Sequence, residues 1–123
     1  MKTIYHGTGS YNLESFLKEG PRTHPQRHLN GKRTFCASTE FGIAAMFAFR
    51  KTPAADFLMS KFDNTGIVIE FDMSKLTGKD YVMAKDTRAL IDEKEVSVIK
   101  PKKLRMVAYW KFINNKWDKI NIT

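Results

Sequence analysis

The sequence has little cysteine and no long apolar segment. Its single cysteine, Cys36, excludes an internal disulfide, which fits a reducing compartment. No window approaches the roughly 18 consecutive apolar residues that indicate a membrane-spanning helix, and the opening MKTIYHGTGS has no apolar stretch of signal-peptide length. We therefore expect a soluble, cytoplasmic protein without a membrane partner, either in the producing cell or in a cell to which it is delivered.

Acidic residues are also scarce. The 123 residues include 21 Lys and Arg but 13 Asp and Glu, which gives a formal net charge of +8. This balance favours anionic partners such as nucleic acid, a phosphate-rich cofactor or an acidic protein surface, although it also fits solubility alone. The segment 21–33, PRTHPQRHLNGKR, contains no acid and four Arg and Lys residues. We expect this loop to bind an anion, with Arg22 and Arg27 among the contacts.

The order of predicted elements indicates an α+β fold in a single domain over residues 1–123. Periodicity and capping signals predict helices over 13–19, with Asn12 as cap and Gly20 as terminator, and over 40–50. Strands are predicted over 2–6, 34–37, 66–73, 80–85, 95–99 and 103–112, with turns at 7–10 and at Asn114-Asn115-Lys116, and a closing strand after the second turn. One strand, two helices and then a run of strands argue for a mainly antiparallel sheet rather than regular βαβ units. In the strand over 103–112, alternation places four residues on one face: Leu104, Met106, Ala108 and Trp110.

The first motif with chemical content is His6-Gly7-Thr8, at the end of the first strand. An imidazole can donate a hydrogen bond to a ribose hydroxyl while the protein holds its other nitrogen. A glycine lets its backbone come close to a planar amide. The simpler reading is a structural histidine before a tight turn, and the motif alone favours that reading.

Two further motifs carry hydroxyl and carboxylate groups. In TFCASTEFGIAAMFA, residues 34–48, a strand ends in Ser38-Thr39, whose hydroxyls could cap the following helix or orient a neighbouring carboxylate. Glu93 and Glu95 are two residues apart at the start of a strand, so their side chains share a face. They form either a solvated acidic turn or a carboxylate pair that faces a cleft.

Taken in order, these motifs resemble the ADP-ribosyltransferase fold family. The family pattern is matched by HGT at 6–8, NLESFLKEG at 12–20, AAMFA at 44–48 and EVSVI at 95–99, across almost the whole chain. His6 and Glu95 resemble the His-Tyr-Glu branch, with Phe35 or Cys36 in the tyrosine position. Ser38-Thr39-Glu40 and Glu93-Lys94-Glu95 resemble the Arg-Ser-Glu branch. The resemblance implies a split, mainly antiparallel sheet with two to three short helices near the N-terminal half.

The resemblance also implies a function. The chain would be an NAD-dependent mono-ADP-ribosyltransferase, such as a toxin or effector, that transfers ADP-ribose to a protein or nucleic-acid acceptor. Glu95 would stabilise the oxocarbenium-like sugar, and Glu93 would orient or deprotonate the acceptor. The residues expected to contact NAD are His6 at a ribose, Gly7 at the carboxamide, Phe35 as a wall over nicotinamide, and Thr8, Ser38, Arg22 and Arg27.

Three other readings stay open. An NAD glycohydrolase would use the same residues with water as acceptor. A non-catalytic nucleic-acid-binding module is compatible with the net charge and with aromatic residues among lysines, although core packing is the favoured role for those aromatics: Tyr109, Trp110, Phe112 and Trp117. A zinc site would have only His24, His28 and Cys36, at loose spacing, so we expect no metal. The oligomeric state is left open.

Overall fold

The computed structural model describes residues 3–26, 29–48, 66–83 and 94–122. Within these ranges the chain forms eight strands and two α-helices, with short 3-10 turns that include Ser10–Asn12 and Pro101–Lys103. The elements in chain order are β1 (Thr3–Gly9), α1 (Leu13–Glu19), β2 (His24–Pro25), β3 (Arg33–Ser38), α2 (described over 41–48), β4 (Gly66–Asp72), β5 (Tyr81–Met83), β6 (Glu95–Val98), β7 (Arg105–Ile113) and β8 (Lys116–Asn121). No helix in the described ranges has the length and apolar character to span a bilayer.

The strands form a sheet in the order β5-β6-β3-β1-β4-β7-β8, with β2 paired to β3. Every pairing among the described strands is antiparallel. Both described helices lie in the N-terminal half of the chain. The predicted α+β class with a mainly antiparallel sheet is therefore confirmed.

Each face of the sheet has its own core. On one face, fully buried Ile4, Ile69 and Phe71 pack with Phe35, and Leu13 and Phe16 of α1 cover them. On the other face, three alanines of α2 pack against Val68 of β4: Ala44, Ala45 and Ala48. Alternation along the strands supplies both cores, because successive side chains point to opposite faces.

The start of the chain departs from the predicted pattern. Gly7 to Gly9 continue β1 instead of turning, and the turn follows at Ser10–Asn12. The reason is pairing, because β1 stays in register with β4 from Thr3↔Asp72 to Gly9↔Gly66. Helix α1 has its predicted bounds and ends at Gly20, whose φ of 73° suits glycine. Asn12 makes no side-chain cap; its Nδ2 donates to Thr8 Oγ1 instead.

The remaining elements follow the prediction with shifts at their ends. The predicted loop 21–33 contains β2 and the first residue of β3, joined by a turn with Asn30 and Gly31 at positive φ. The hairpin between β7 and β8 turns at Asn114 and Asn115, both left-handed, as predicted. The predicted ends at 49–50 and 84–85 lie outside the described residues.

The predicted apolar face of β7 is wrong. The register with β4 shifts between Glu70↔Ala108 and Phe71↔Met106, so one extra residue stands in β7 at the bulge. Because of this extra residue, even-numbered side chains before the bulge face the opposite side of the sheet from those after it. Leu104 and Met106 pack in the core under α1, whereas Trp110 packs in the core under α2.

Buried Asp80 ties β5 to the segment after β6. Its Oδ2 accepts hydrogen bonds from Lys103 Nζ at 2.9 Å and from the backbone and hydroxyl of Thr77. Its backbone carbonyl accepts from the amides of Ile99 and Lys100. The bond from Lys103, followed by that from the Thr77 amide, lowers the pKa of Asp80 from 3.8 to about 2.

Replacing Gly7 tests the packing of α2. A Cβ at this position would overlap the carbonyl of Ala44 and stand 2.8 Å from the amide nitrogen of Ala48. We expect Gly7→Ala to lower the free energy of unfolding by roughly 3 kcal/mol, because backbone must move. The control is Gly42→Ala in α2, where a Cβ meets open space; it should raise stability by up to about 1 kcal/mol. Equal urea midpoints for Gly7→Ala and wild type would contradict this packing.

Asp80 predicts a pH dependence of stability. Because its pKa is lower in the folded state, its contribution is complete above the unfolded value of about 4 and is lost as pH falls toward about 2. Thermal unfolding at several pH values should show this loss in wild type, and Asp80→Asn should flatten the curve over that interval. Parallel curves for the two proteins would show that Asp80 does not carry the effect.

Candidate functional site

The sheet is weakest in register between β1 and β3. These two strands, both fully described, are in register at Tyr5↔Ser38, whereas β1 and β4 are in register along all seven residues of β1. Toward Gly7 and Cys36, these two described strands have no further residue pair in register. We call this region, formed by His6, Gly7 and Cys36, the seam.

His6 bridges the seam with its side chain. Its Nδ1 lies 2.8 Å from the backbone oxygen of Cys36. Because a carbonyl oxygen only accepts, Nδ1 carries the proton. The imidazole also packs between Phe16 and Phe35, with ring centroids at 5.4 and 4.6 Å. The histidine therefore has both a structural role and a fixed orientation.

Glu95 stands on the other face of β3. It is directly opposite Ser38, and Ser97 is directly opposite Cys36, so all four side chains share the face away from His6. Cys36 Sγ lies 3.7 Å from Ser97 Oγ and 3.9 Å from Thr34 Oγ1. Thr34, Cys36, Ser38, Glu95 and Ser97 thus form a polar row beside the seam.

The pKa of the Cys36 thiol is affected by the nearby charge of Glu95. Burial is the main cause that raises the pKa of Cys36, and the charge of Glu95 raises it further, against hydrogen bonds from Ser97 and Thr34 that lower it. His6 therefore reaches the backbone of Cys36 from one face while Glu95 meets its side chain from the other. Two predicted site residues, His6 and Glu95, thus lie on either side of Cys36. The sequence did not predict that Cys36 lies between them.

Other predicted contacts have structural partners. Gly7 has no room for a side chain, because α2 occupies the space that a Cβ would need. Thr8 is 2% exposed and bonded to Asn12. Phe35 is 3% exposed in the core, with its ring 5.4 Å from that of Phe71. Their roles toward NAD stay predictions, and the packing alone accounts for Thr8 and Phe35.

Ser38 acts as a helix cap. Its Oγ accepts a hydrogen bond from the amide of Glu40 at 3.1 Å, just before α2 begins. The same residue stands opposite both Tyr5 and Glu95, so it lies in the middle of three neighbouring strands. Its hydroxyl bonds at the start of α2, as one of the two predicted roles requires, and a role in orienting the carboxylate of Glu95 stays a prediction.

The remaining predicted residues lie away from the seam or cannot be placed. Arg22 forms an ion pair with Glu19 just after α1. Glu93, Arg27 and His28 lie outside the described residues. Trp110 and Trp117 pack edge-to-face around Phe41. In the described ranges, no three His, Cys, Asp or Glu side chains form a group that could hold a metal ion.

Sequence reasoning missed Thr34 and Ser97. The signal was present, because TFCAS and EVSV each alternate polar with apolar residues. The polar positions of the two strands, taken together, would have predicted the polar row. What the sequence could not supply is the register that sets Ser97 against Cys36.

The chain was compared with known proteins at three levels. No protein-family model, no curated protein and no solved structure matches it.

Alkylation of Cys36 tests the geometry of the row without any assay of activity. The chain has one cysteine, so the thiol signal is unambiguous. Because the charge of Glu95 raises the pKa of Cys36, Glu95→Gln should lower that pKa and speed iodoacetamide alkylation at pH 8. Glu14→Gln, on the exposed surface of α1, is the control and should react like wild type. Equal rates for Glu95→Gln and wild type would contradict the proximity of Glu95 to the thiol.

Proposed function

We propose that the protein is an NAD-dependent mono-ADP-ribosyltransferase whose substrate binds across the seam. The observation that carries the proposal is that His6 bonds to the backbone of Cys36 from one face while Glu95 lies near its thiol on the other, beside the one residue pair in register between β1 and β3. In this proposal the seam is the split of the ADP-ribosyltransferase sheet. The order of the motifs along the chain supports the same reading.

The two side chains proposed to act on the substrate lie on opposite faces of β3. His6 is oriented by its bond to Cys36 and by its packing between Phe16 and Phe35, on the face under α1. Glu95 supplies a partly buried anion on the other side of β3.

The chemistry asked of Glu95 is electrostatic. Cleavage of the bond between ribose C1′ and the nicotinamide nitrogen leaves positive charge on the sugar, and the bonding electron pair leaves with nicotinamide, which departs neutral. A carboxylate near the sugar stabilises that charge, as in glycoside hydrolysis. The acceptor then forms a bond to C1′ and loses a proton, for which Glu93 is the proposed base.

Glu95→Gln tests the proposal directly. The variant keeps size and hydrogen bonding but removes the charge, so NAD consumption should fall by about 10²-fold or more. Wild type and variant are incubated with NAD labelled on the adenylate, together with cell lysate, and release of nicotinamide is followed alongside transfer of label. Nuclease and protease treatment of the products identifies the class of acceptor.

The controls separate the rival readings. Glu14→Gln should behave as wild type, and melting curves should be matched for all three proteins. Nicotinamide release without transfer of label would establish the glycohydrolase instead. No consumption of NAD by wild type, or equal consumption by Glu95→Gln, would contradict the proposed catalytic role.

A further inference from the structure

A basic cleft of about 820 Å³ lies at the end of the sheet away from Glu95. It is formed between the segment after α1, the start of β3 and the residues that follow β6. Six of its lining residues are basic: Arg22, His24, Arg33, Lys100, Lys102 and Lys103. We use the term basic cleft for this group.

Part of this charge is already compensated. Arg22 pairs with Glu19, and Lys103 pairs with buried Asp80. Arg33 donates to the backbone oxygen of Thr23, which holds its guanidinium in place without neutralising it. Among the described residues, no salt bridge joins an acid to Arg33, Lys100 or Lys102. Three exposed cations therefore face one cleft.

The backbone that carries these cations is held in place by hydrogen bonds. Two bonds to the carbonyl of Asp80 fix the amides of Ile99 and Lys100, and the 3-10 turn Pro101–Lys103 fixes the lysines that follow. The cations are thus preorganised on the fold rather than carried on a loose tail.

The basic cleft lies at the other end of β6 from Glu95. Glu95 opens β6, and Lys100 comes two residues after Val98, the last residue of that strand. The cleft shares no lining residue with the seam.

We propose that the basic cleft binds the phosphodiester backbone of a nucleic acid. Lysine and arginine that contact phosphates supply most of the affinity of such complexes. An acidic protein partner fits less well, because protein interfaces are depleted in lysine and depend on aromatic anchors, and the lining includes no Phe, Tyr or Trp. The proposal concerns binding, and it stands whether or not the chain transfers ADP-ribose.

The test is the salt dependence of binding to a labelled single-stranded oligonucleotide, with a duplex of the same sequence in parallel. The cleft variant is Lys100→Gln with Lys102→Gln, and the matched control is Lys75→Gln with Lys116→Gln. All four lysines are exposed, and the control pair lies outside the cleft. Both variants lose the same charge, so general attraction to the chain is held constant.

Each lost phosphate contact should lower the slope of log affinity against log salt by about 0.7 for a single strand. We expect the cleft variant to lose about 1.4 of slope and the control pair to change little. Adding Arg33→Gln to the cleft variant should remove about 0.7 more. The better of the two nucleic acids identifies whether a single strand or a duplex is the natural form.

Two results would overturn the proposal. Equal losses of slope in the cleft and control variants would show attraction to overall charge and no site. Stronger binding of a poly-glutamate peptide than of an oligonucleotide with the same number of charges, lost in the cleft variant, would assign the cleft to an acidic protein. Unchanged melting temperatures are required of both variants, and their exposed positions predict this.

Discussion

The hydrogen bond from His6 to the backbone of Cys36 holds the sheet together where its backbone register is weakest. β1 and β3 are in register at Tyr5 and Ser38, and the imidazole of the next residue, His6, adds a bond to Cys36 of β3. This side chain thus contributes to the contact between the two halves of the sheet. The candidate site depends on that bond.

At β3, one face of the sheet carries an aromatic cluster and the other carries the polar row. Under α1, the His6 ring belongs to an aromatic cluster with Phe16 and Phe35, so its position is set by packing. On the opposite face lies the polar row that contains Cys36 and Glu95. Since β3 is shared, a shift of its register by one residue would exchange the two faces and remove the site.

Much of the fold could be predicted from the sequence because local signals agree with the tertiary structure. Helix α1 ends at Gly20 and the last hairpin turns at two asparagines, and both signals act within a few residues. The predictions are wrong where a contact between residues distant in sequence determines the local structure. The sequence predicts a turn at Gly7, but pairing with β4 keeps Gly7 in a strand, and α2 requires it to lack a side chain.

The site shows the same division. His6 and Glu95 could be chosen from strand ends and motif order, but their meeting at Cys36 depends on the β3–β6 register, which no local pattern encodes. The role of Phe35 at nicotinamide stays a prediction, and its burial in the core is a contact that alternation also permits. The sequence predicts the wrong apolar face for β7, because a bulge cannot be seen in alternation alone.

Binding of NAD across the seam, as proposed, can be followed by backbone amide chemical shifts during titration with NAD. We expect saturable shifts for Gly7, Cys36 and Glu95, on the three neighbouring strands β1, β3 and β6, with small changes at the β7–β8 hairpin. Absence of shifts at millimolar NAD, or shifts confined to residues away from the seam, would contradict it.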